Sequence, residues 1–219
     1  MNLQERFEEA LAACPVVGIF RWHECGAVLT ATAEALWRGG LRLVEITLNT
    51  PGALGAVSEL QRRDRPSGAM IGVGTVTSVE EAERAMSAGA EFLVTPIVDE
   101  ATIRFAAGEG VPILVGAMTP TEGLAASRAG ATAVKVFPID QLGPGYVANV
   151  LAPLDGLRLI PTGGITLAEL PDYFAAGAVA VGVGPTMIDP AAVEAGDWDA
   201  VVAEAERWVS AISDTKSGG

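Results

Sequence analysis

Short apolar runs rich in β-branched residues alternate with alanine-rich segments of helical period along the whole chain. The apolar runs cover residues 16–20, 43–47, 70–75, 92–96, 112–117, 133–138, 158–162 and 179–184. Their nearly continuous apolar character is typical of parallel strands that are covered on both faces. Eight strand–helix units predict an α/β fold, a (β/α)8 TIM barrel, with a doubly wound sheet as the alternative.

Helix boundaries carry the signals expected of a repeated unit. Ser78 and Thr119 each precede acidic residues in the first turn of a predicted helix, and Pro120 occupies the first helical position after Thr119. The phrase Ala-Gly-Ala ends three predicted helices, at residues 88–90, 129–131 and 176–178. Its glycine can adopt the left-handed conformation that lets a helix end and the next strand begin.

One domain accounts for the chain, because no linker or low-complexity stretch divides it and half of its 219 residues are hydrophobic. We expect a single TIM-barrel domain over residues 1–213 and a disordered tail over residues 214–219. The segment Leu3–Ala13 is predicted to be an amphipathic helix that closes the bottom of the barrel. Residues 199–212 are predicted to form a helix with one apolar face.

Charge and composition exclude several classes of function. The net charge of −13 argues against nucleic acid or an anionic membrane as a partner. No apolar run approaches the roughly 20 residues of a membrane-spanning helix, and no signal-peptide pattern opens the chain, so we expect a cytoplasmic protein. Cys14, Cys25 and the single histidine, His23, form neither a disulfide framework nor a spaced set of metal ligands. We expect no metal and no cofactor.

The chain contains only two lysines, Lys135 and Lys216, and Lys135 lies inside the apolar run 133–138. Desolvation in such a run penalises an ammonium ion and favours the neutral amine. A neutral amine is a nucleophile toward carbonyl groups, so Schiff-base chemistry is the first hypothesis. In the alternative interpretation, the stem of Lys135 lies along apolar surface with its head in water or paired to a carboxylate.

Further candidates follow from the position of active sites in TIM barrels, at the carboxyl ends of the strands. Alternation places Lys135 and Phe137 on one face of the sixth strand, and Glu45 and Thr47 on one face of the second. If both faces point inward, Glu45 and Lys135 share the interior of the barrel. Glu45 would then shuttle protons or form a structural ion pair.

Two glycine-rich turns follow the seventh and eighth strands. Gly163 and Gly164 precede a predicted helix, and Gly182 and Gly184 close the last strand. Together they occupy the common phosphate position of TIM barrels, where backbone N–H groups are free of Cβ obstruction. Tight turn geometry is the competing explanation for each glycine.

The order and spacing of these motifs resemble a known family from about Val16 to Trp208. The motifs are residues 44–51, 72–76, 95–96, 119–122, 134–138 and 161–165. They are similar to the class I aldolases for 2-keto-3-deoxy-6-phosphogluconate (KDPG) and 2-keto-4-hydroxyglutarate (KHG). The resemblance implies cleavage of a keto acid to pyruvate and an aldehyde, glyceraldehyde 3-phosphate or glyoxylate, by a homotrimer that uses no metal.

The resemblance also implies roles for individual residues. Lys135 would form the Schiff base with the pyruvyl carbonyl, and Glu45 would shuttle protons through water. Thr75, Pro96 and Phe137 would line the pyruvate pocket. The remaining implied contacts to substrate come from Arg21, Asn49, Thr162, Gly163, Gly164 and Gly184.

Some positions depart from the KDPG pattern. Asn49 stands where the phosphogluconate enzymes usually have arginine. Asn49 and Arg21 both resemble the residues of the 2-keto-3-deoxy-6-phosphogalactonate aldolases. Thr162, in contrast, resembles the residue of the phosphogluconate enzymes. Pro185 stands where many relatives place a serine, which removes a hydroxyl donor to phosphate. Val115-Gly116 replaces a frequent Pro-Gly pair. A phosphogalactonate aldolase, a phosphate-binding isomerase or synthase, and a non-catalytic binding protein therefore remain alternatives.

Overall fold

The computed structural model describes the backbone of residues 1–217 and the side chains of residues 1–213. Of the tail expected to be disordered over residues 214–219, the backbone of residues 214–217 continues the last helix, and residues 218–219 lie outside the described residues. The strands are β1 (Val16–Phe20), β2 (Leu43–Thr47), β3 (Met70–Gly74), β4 (Phe92–Thr95), β5 (Ile113–Ala117), β6 (Ala133–Val136), β7 (Leu159–Pro161) and β8 (Val181–Val183).

Helices follow the strands in regular alternation. They are α1 (Leu3–Ala13), α2 (Ala27–Arg38), α3 (Ala53–Leu60), α4 (Val79–Ser87), α5 (Glu100–Gly108), α6 (Pro120–Ala129), α7 (Gly143–Leu151), α8 (Leu170–Ala175), α9 (Pro190–Ala195) and α10 (Trp198–Ser217), with a 3-10 turn at Leu167–Glu169 before α8. Among the described residues, no helix is both long and apolar enough to cross a membrane.

The eight strands form one parallel sheet in the order β7-β6-β5-β4-β3-β2-β1-β8. A parallel bridge between Thr162 and Gly182 joins the remaining edges, β7 and β8. Each strand therefore lies beside its predecessor in the chain, whereas a doubly wound sheet reverses its strand order at a switch point. The predicted (β/α)8 TIM barrel is confirmed, and the doubly wound alternative was wrong.

Prolines explain where several strands end short of their predicted bounds. β4 ends at Thr95 rather than at Pro96, and β6 ends at Val136 rather than at Pro138. Proline has no N–H to donate to a neighbouring strand, so a ladder of hydrogen bonds stops at or before it. The consequence is that Pro96 and Phe137 lie in the loops above the barrel.

The predicted helix boundaries are present. Ser78 and Thr119 accept hydrogen bonds from the backbone of their helices' first turns, and Thr119 forms a full capping box with Glu122. The glycine of each Ala-Gly-Ala phrase has a positive φ: 101° at Gly89, 111° at Gly130 and 96° at Gly177. These left-handed residues end one helix and direct the chain into the next strand.

The barrel interior is closed from below by α1, as predicted. Phe7, Ala10 and Leu11 of α1 belong to one buried apolar cluster with inward-facing strand residues. The strand residues of this cluster are Val17, Leu43, Met70, Phe92, Val94, Leu114, Ala133, Ile160 and Ala180. Since these occupy the lower part of each strand, the polar residues further along the strands lie toward the opposite, carboxyl end.

Candidate active site at the carboxyl ends of the strands

A cavity of about 290 Å³ opens at the carboxyl ends of the strands. All but two of the residues predicted to act in catalysis or binding line it: Arg21, Thr75, Pro96, Lys135, Phe137, Thr162, Gly163, Gly164 and Gly184. Its other lining residues are Ile19, Phe20, Trp22, Pro185, Ile188 and Pro190. The two predicted residues outside the lining are Glu45 and Asn49. Asn49 lies exposed after β2.

Lys135 lies at the centre of this arrangement because of its place on β6. Its inward direction follows from Ala133, which lies two residues earlier on the same face and belongs to the interior cluster. The side chain is half-buried rather than fully buried. Its Nζ lies 5.3 Å from the centroid of the Phe137 ring, which places the amine against an aromatic face at the cavity.

Glu45 points inward from β2 and lies beneath the cavity. It is only 1% exposed, and neither carboxylate oxygen forms a hydrogen bond with any described residue. Burial raises the pKa of the Glu45 carboxyl, although the positive charges of Lys135 and Arg21 partly oppose the shift. The raised pKa makes this carboxyl a stronger proton acceptor than an exposed one, which suits a group that takes up and returns a proton.

The end of β3 makes room for Glu45 and shapes the cavity floor. A Cβ atom at Gly74 would overlap the carboxylate of Glu45, so only glycine fits beside it. The next residue, Thr75, is the only described residue other than glycine with a positive φ, 61°. Such a conformation costs about 1–3 kcal/mol and persists where the surrounding structure imposes it, often at functional sites.

The turns after β7 and β8 form the opposite wall. Gly163 and Gly164 have φ values of 101° and 71°. The Phe137 ring packs on Gly163, and a Cβ atom added at Gly164 would lie 2.7 Å from the Cβ of Asp140, whose carboxylate is therefore close to this turn. Thr162 is buried, and its hydroxyl donates to the carbonyl of Ile160 at 3.1 Å.

The turn after β8 offers an anion few side-chain donors. The N–H groups of Met187 and Ile188 both donate to the carbonyl of Gly184, at 2.9 Å each. Pro185 offers neither an N–H nor a hydroxyl group. An anion at these turns therefore depends on the remaining backbone N–H groups, and Asp140 lies beside Gly164.

The loop after β1 brings Arg21 and Trp22 to the cavity. The backbone N–H of Trp22 donates to Thr50 Oγ1 at 3.0 Å, and Thr50 shares a second 3.0 Å hydrogen bond with Thr47 Oγ1. The Trp22 ring stacks on Phe20, with 5.4 Å between ring centroids and 18° between planes. These contacts fasten the loop to the end of β2.

Sequence reasoning missed the aromatic and apolar wall formed by Trp22, Ile188 and Pro190. A signal for Trp22 was present, since it lies two residues beyond the last residue of β1, where TIM barrels place functional groups. Ile188 and Pro190 carry no comparable signal, because apolar residues after a strand are ordinarily core. Among the described side chains, no group of three His, Cys, Asp or Glu residues converges as metal ligands would.

Comparisons with known proteins agree with this geometry. A family model described as KDPG and KHG aldolase matches residues 7–204. The 2-dehydro-3-deoxy-phosphogluconate aldolase of Treponema pallidum is 33% identical over 205 residues, 93% of this chain and 95% of the relative. The probable 2-dehydro-3-deoxy-6-phosphogalactonate aldolase of Rhizobium meliloti is 37% identical over 187 residues, 84% of this chain and 85% of the relative.

Solved structures give the same result. The 2-keto-3-deoxy-6-phosphogluconate aldolase of Zymomonas mobilis superposes with a TM-score of 0.80 at 28% identity, covering 92% of this chain and 95% of that one. The similarity thus extends over almost the whole barrel, including every strand that lines the cavity. The chain therefore belongs to the KDPG and KHG aldolase family of carbon–carbon lyases.

Proposed function

We propose that this aldolase cleaves KDPG, or a closely related 2-keto-3-deoxy sugar acid or 4-hydroxy-2-oxoglutarate, through a Schiff base on Lys135. One observation carries the proposal: among residues 1–213, Lys135 is the only lysine, and it projects into the cavity above the buried carboxyl of Glu45. An isomerase or synthase barrel that only holds a phosphate group has no need of such a lysine.

The chemistry proceeds in balanced steps. The neutral amine of Lys135 attacks the C2 carbonyl, and loss of water from the carbinolamine gives an iminium ion. Removal of the C4 hydroxyl proton breaks the C3–C4 bond, releases the aldehyde and moves the electron pair into an enamine. Protonation at C3 and hydrolysis of the iminium ion then release pyruvate and regenerate the amine.

Glu45 is the proposed proton carrier. It does not line the cavity, so a water molecule or a substrate hydroxyl would relay the proton between its carboxyl and the reacting carbons. Its raised pKa supports the role, because such a carboxyl accepts a proton more readily than an exposed one. The alternative of a structural ion pair is less well supported, since no hydrogen bond joins Glu45 to Lys135.

The remaining cavity residues divide between the two ends of the substrate. Thr75, Pro96 and Phe137 would hold the pyruvyl group beside Lys135. Thr162 would contact the substrate hydroxyl groups, and Arg21, which is exposed at the cavity, would hold a carboxylate. The role of Asn49 would require a movement of its loop toward the cavity. Gly163, Gly164 and Gly184 would hold a distal anion through backbone N–H groups.

The test is reductive trapping with pyruvate and borohydride. We expect a stable adduct whose mass maps to Lys135, because borohydride reduces the iminium ion to a secondary amine. Lys135→Arg should abolish both the adduct and turnover while the fold survives, since arginine stays protonated and cannot form the carbinolamine. Lys216→Arg is the matched control and should retain both. An adduct on Lys216, or turnover by Lys135→Arg above trace levels, would overturn the assignment.

Substrate preference is measured separately. The two C4 epimers, gluconate and galactonate, should be compared in phosphorylated and unphosphorylated forms by pyruvate release. Arg21 at the cavity and the Rhizobium meliloti relative support the galactonate epimer, whereas Thr162 supports the gluconate epimer. Absence of a pyruvate adduct in the wild type would instead favour an isomerase or synthase.

We further propose that the enzyme is a cytoplasmic homotrimer, as its resemblance to the family implies. Sedimentation equilibrium measures the state directly, because the 22.5 kDa chain would triple in mass. A monomer or dimer at enzyme concentrations used in assays would contradict this part of the proposal.

A further inference from the structure

The cavity has two chemically different halves. Thr75, Pro96 and Phe137 follow β3, β4 and β6 and surround Lys135, the proposed pyruvate end. The other half follows β7, β8 and β1, which are neighbours around the barrel. If the proposed function holds and pyruvate occupies the first half, the aldehyde-derived part of the substrate extends into the second.

Aromatic and apolar groups dominate this second half. Trp22 and Phe20 come from β1 and its loop, and Pro185, Ile188 and Pro190 come from the segment after β8. Arg21 is the one cationic side chain on this side of the described lining, and it is exposed. Asp140 adds a negative charge near Gly164. A phosphate here meets one exposed arginine and the backbone N–H groups of the glycine turns, whereas a carbon chain meets a large apolar surface.

Trp22 is fixed in place from three directions. Its ring stacks on Phe20, its backbone N–H donates to Thr50 Oγ1 at 3.0 Å, and its ring lies 4.9 Å from that of His23. Thr50 is only 2% exposed and is itself tied to Thr47, which is fully buried. A half-buried ring that is already held in place loses little conformational entropy when a substrate packs against it.

We propose that Trp22 is a specificity-determining residue whose ring packs against the carbon chain of the aldehyde-derived half of the substrate, and that Thr50 is its positioning residue. This inference rests on the proposed function. It assigns the enzyme to aldehydes of three or more carbons whose chain presents uncharged C–H faces to the ring. The preference for a longer aldehyde over a shorter one should then grow with chain length, since each added carbon buries more surface against the ring.

The experiment measures aldol addition of pyruvate to a series of unphosphorylated aldehydes: glycolaldehyde, D-glyceraldehyde and D-erythrose, with D-glyceraldehyde 3-phosphate as the charged comparison. In Trp22→Ala, we expect the ratio of kcat/KM for D-erythrose over glycolaldehyde to fall about tenfold, mainly through KM. Trp22→Phe should keep most of the ratio, because a smaller aromatic face remains. Trp198→Ala removes another half-buried tryptophan outside the cavity and should leave the ratio unchanged.

Thr50 is tested by a matched pair. Thr50→Val keeps the shape but removes the acceptor of the Trp22 N–H, so the ratio should fall toward that of Trp22→Ala. Thr50→Ser keeps the hydroxyl group, so its kcat/KM ratio should stay close to that of the wild type. A merely structural role would lower stability in both variants without changing the ratio.

The outcomes separate the two proposals. If the wild type forms the pyruvate adduct but Trp22→Ala lowers kcat/KM equally for every aldehyde, or leaves it unchanged, the assignment of Trp22 is overturned and the proposed function stands. If the wild type forms no pyruvate adduct, both proposals fail.

Discussion

At the scale of single residues, Glu45 combines a folding cost with a chemical use. A carboxyl that is 1% exposed and has no hydrogen-bond partner among the described residues is expensive to ionise. Burial raises its pKa, and the charges of Lys135 and Arg21 lower it only in part. A group with a folded-state pKa above its unfolded value stabilises the protein less as pH rises through the folded-state pKa. Glu45 should therefore oppose folding more strongly as pH rises from its unfolded-state pKa toward its higher folded-state pKa.

Glu45→Gln tests both the proposed catalytic role of Glu45 and the cost of burying its carboxyl group. We expect turnover to fall by roughly 10²–10⁴, the usual contribution of a general acid–base group, while borohydride trapping of pyruvate stays measurable. Glutamine cannot ionise, so the melting temperature of the variant, relative to that of the wild type, should increase as pH rises above the ordinary carboxyl pKa of 4.5. Thermal unfolding at several pH values measures this gain. A constant difference in melting temperature would show that Glu45 does not change its ionisation on folding, and unaffected turnover would make it structural.

The sequence predicted the residues whose chemistry is conspicuous. Lys135 was recognisable because an ammonium is rare within an apolar strand, and Glu45 because strand alternation placed it on the inward face. Trp22 was not recognised as a cavity residue, since its position depends on a loop held by Thr50 in the turn after β2. Asn49 shares a motif with Glu45 but lies exposed outside the cavity lining, because the chain turns away after β2. Contacts between distant loops are not encoded in local pattern.

At the scale of elements, β3 shows how a strand can be shaped by its neighbours. A Cβ at Gly72 would overlap the Phe92 ring, and one at Gly74 would overlap the Glu45 carboxylate. The sequence alone identified β3 as a strand and 72–76 as a family motif, but it gave no reason for two glycines inside a strand, where they weaken it. The reason is steric, since two bulky inward groups from β2 and β4 fill the space above the glycines.

Gly74→Ala should therefore damage both packing and chemistry. The added methyl group must displace the Glu45 carboxylate, so we expect destabilisation of about 1–3 kcal/mol, typical of an overpacked core, and a loss of turnover at temperatures where the variant is folded. Urea unfolding and pyruvate release measure the two effects. Gly55→Ala is the matched control: Gly55 lies in α3 with open space around it, and alanine there should stabilise by about 0.4–1 kcal/mol. Full activity in Gly74→Ala would contradict the close packing of Glu45 on β3.

At the scale of the whole molecule, the two ends of the barrel have separate tasks. The carboxyl end holds the cavity, and the opposite end is sealed by α1 and by ion pairs. Arg6 of α1 lies 2.8 Å from Glu91, which also accepts hydrogen bonds from Arg65 and from the Ile71 N–H at 3.0 Å. Burial opposes the ionisation of Glu91, but these partners together hold its pKa below the ordinary value.

The overall architecture was the most predictable level, because eight repeats of one strand–helix pattern leave few possible folds. The bottom seal was predicted from the amphipathic pattern of Leu3–Ala13 alone, without its ion pairs. Those pairs join α1 to residues far along the chain, such as Glu8 to Arg158, with both hydrogen bonds at 2.6 Å. Charged residues spaced so widely give no local signal of their pairing.

Phe7→Ala tests whether stability and chemistry are separable. Phe7 is fully buried at the bottom of the barrel, and its ring centroid lies 5.5 Å from that of Phe92. Truncation leaves a cavity that α1 can fill only by moving, and the expected loss of stability is about 3–5 kcal/mol in urea unfolding. Because the bottom of a TIM barrel contributes stability rather than catalysis, kcat/KM and pyruvate trapping should stay within about twofold of wild type at temperatures where the variant is folded. Lys135→Arg provides the opposite pattern, with stability kept and turnover lost. If the folded Phe7→Ala protein loses turnover in proportion to stability, the packing of α1 controls the active site through Phe92 and Gly72, and the two ends of the barrel are coupled.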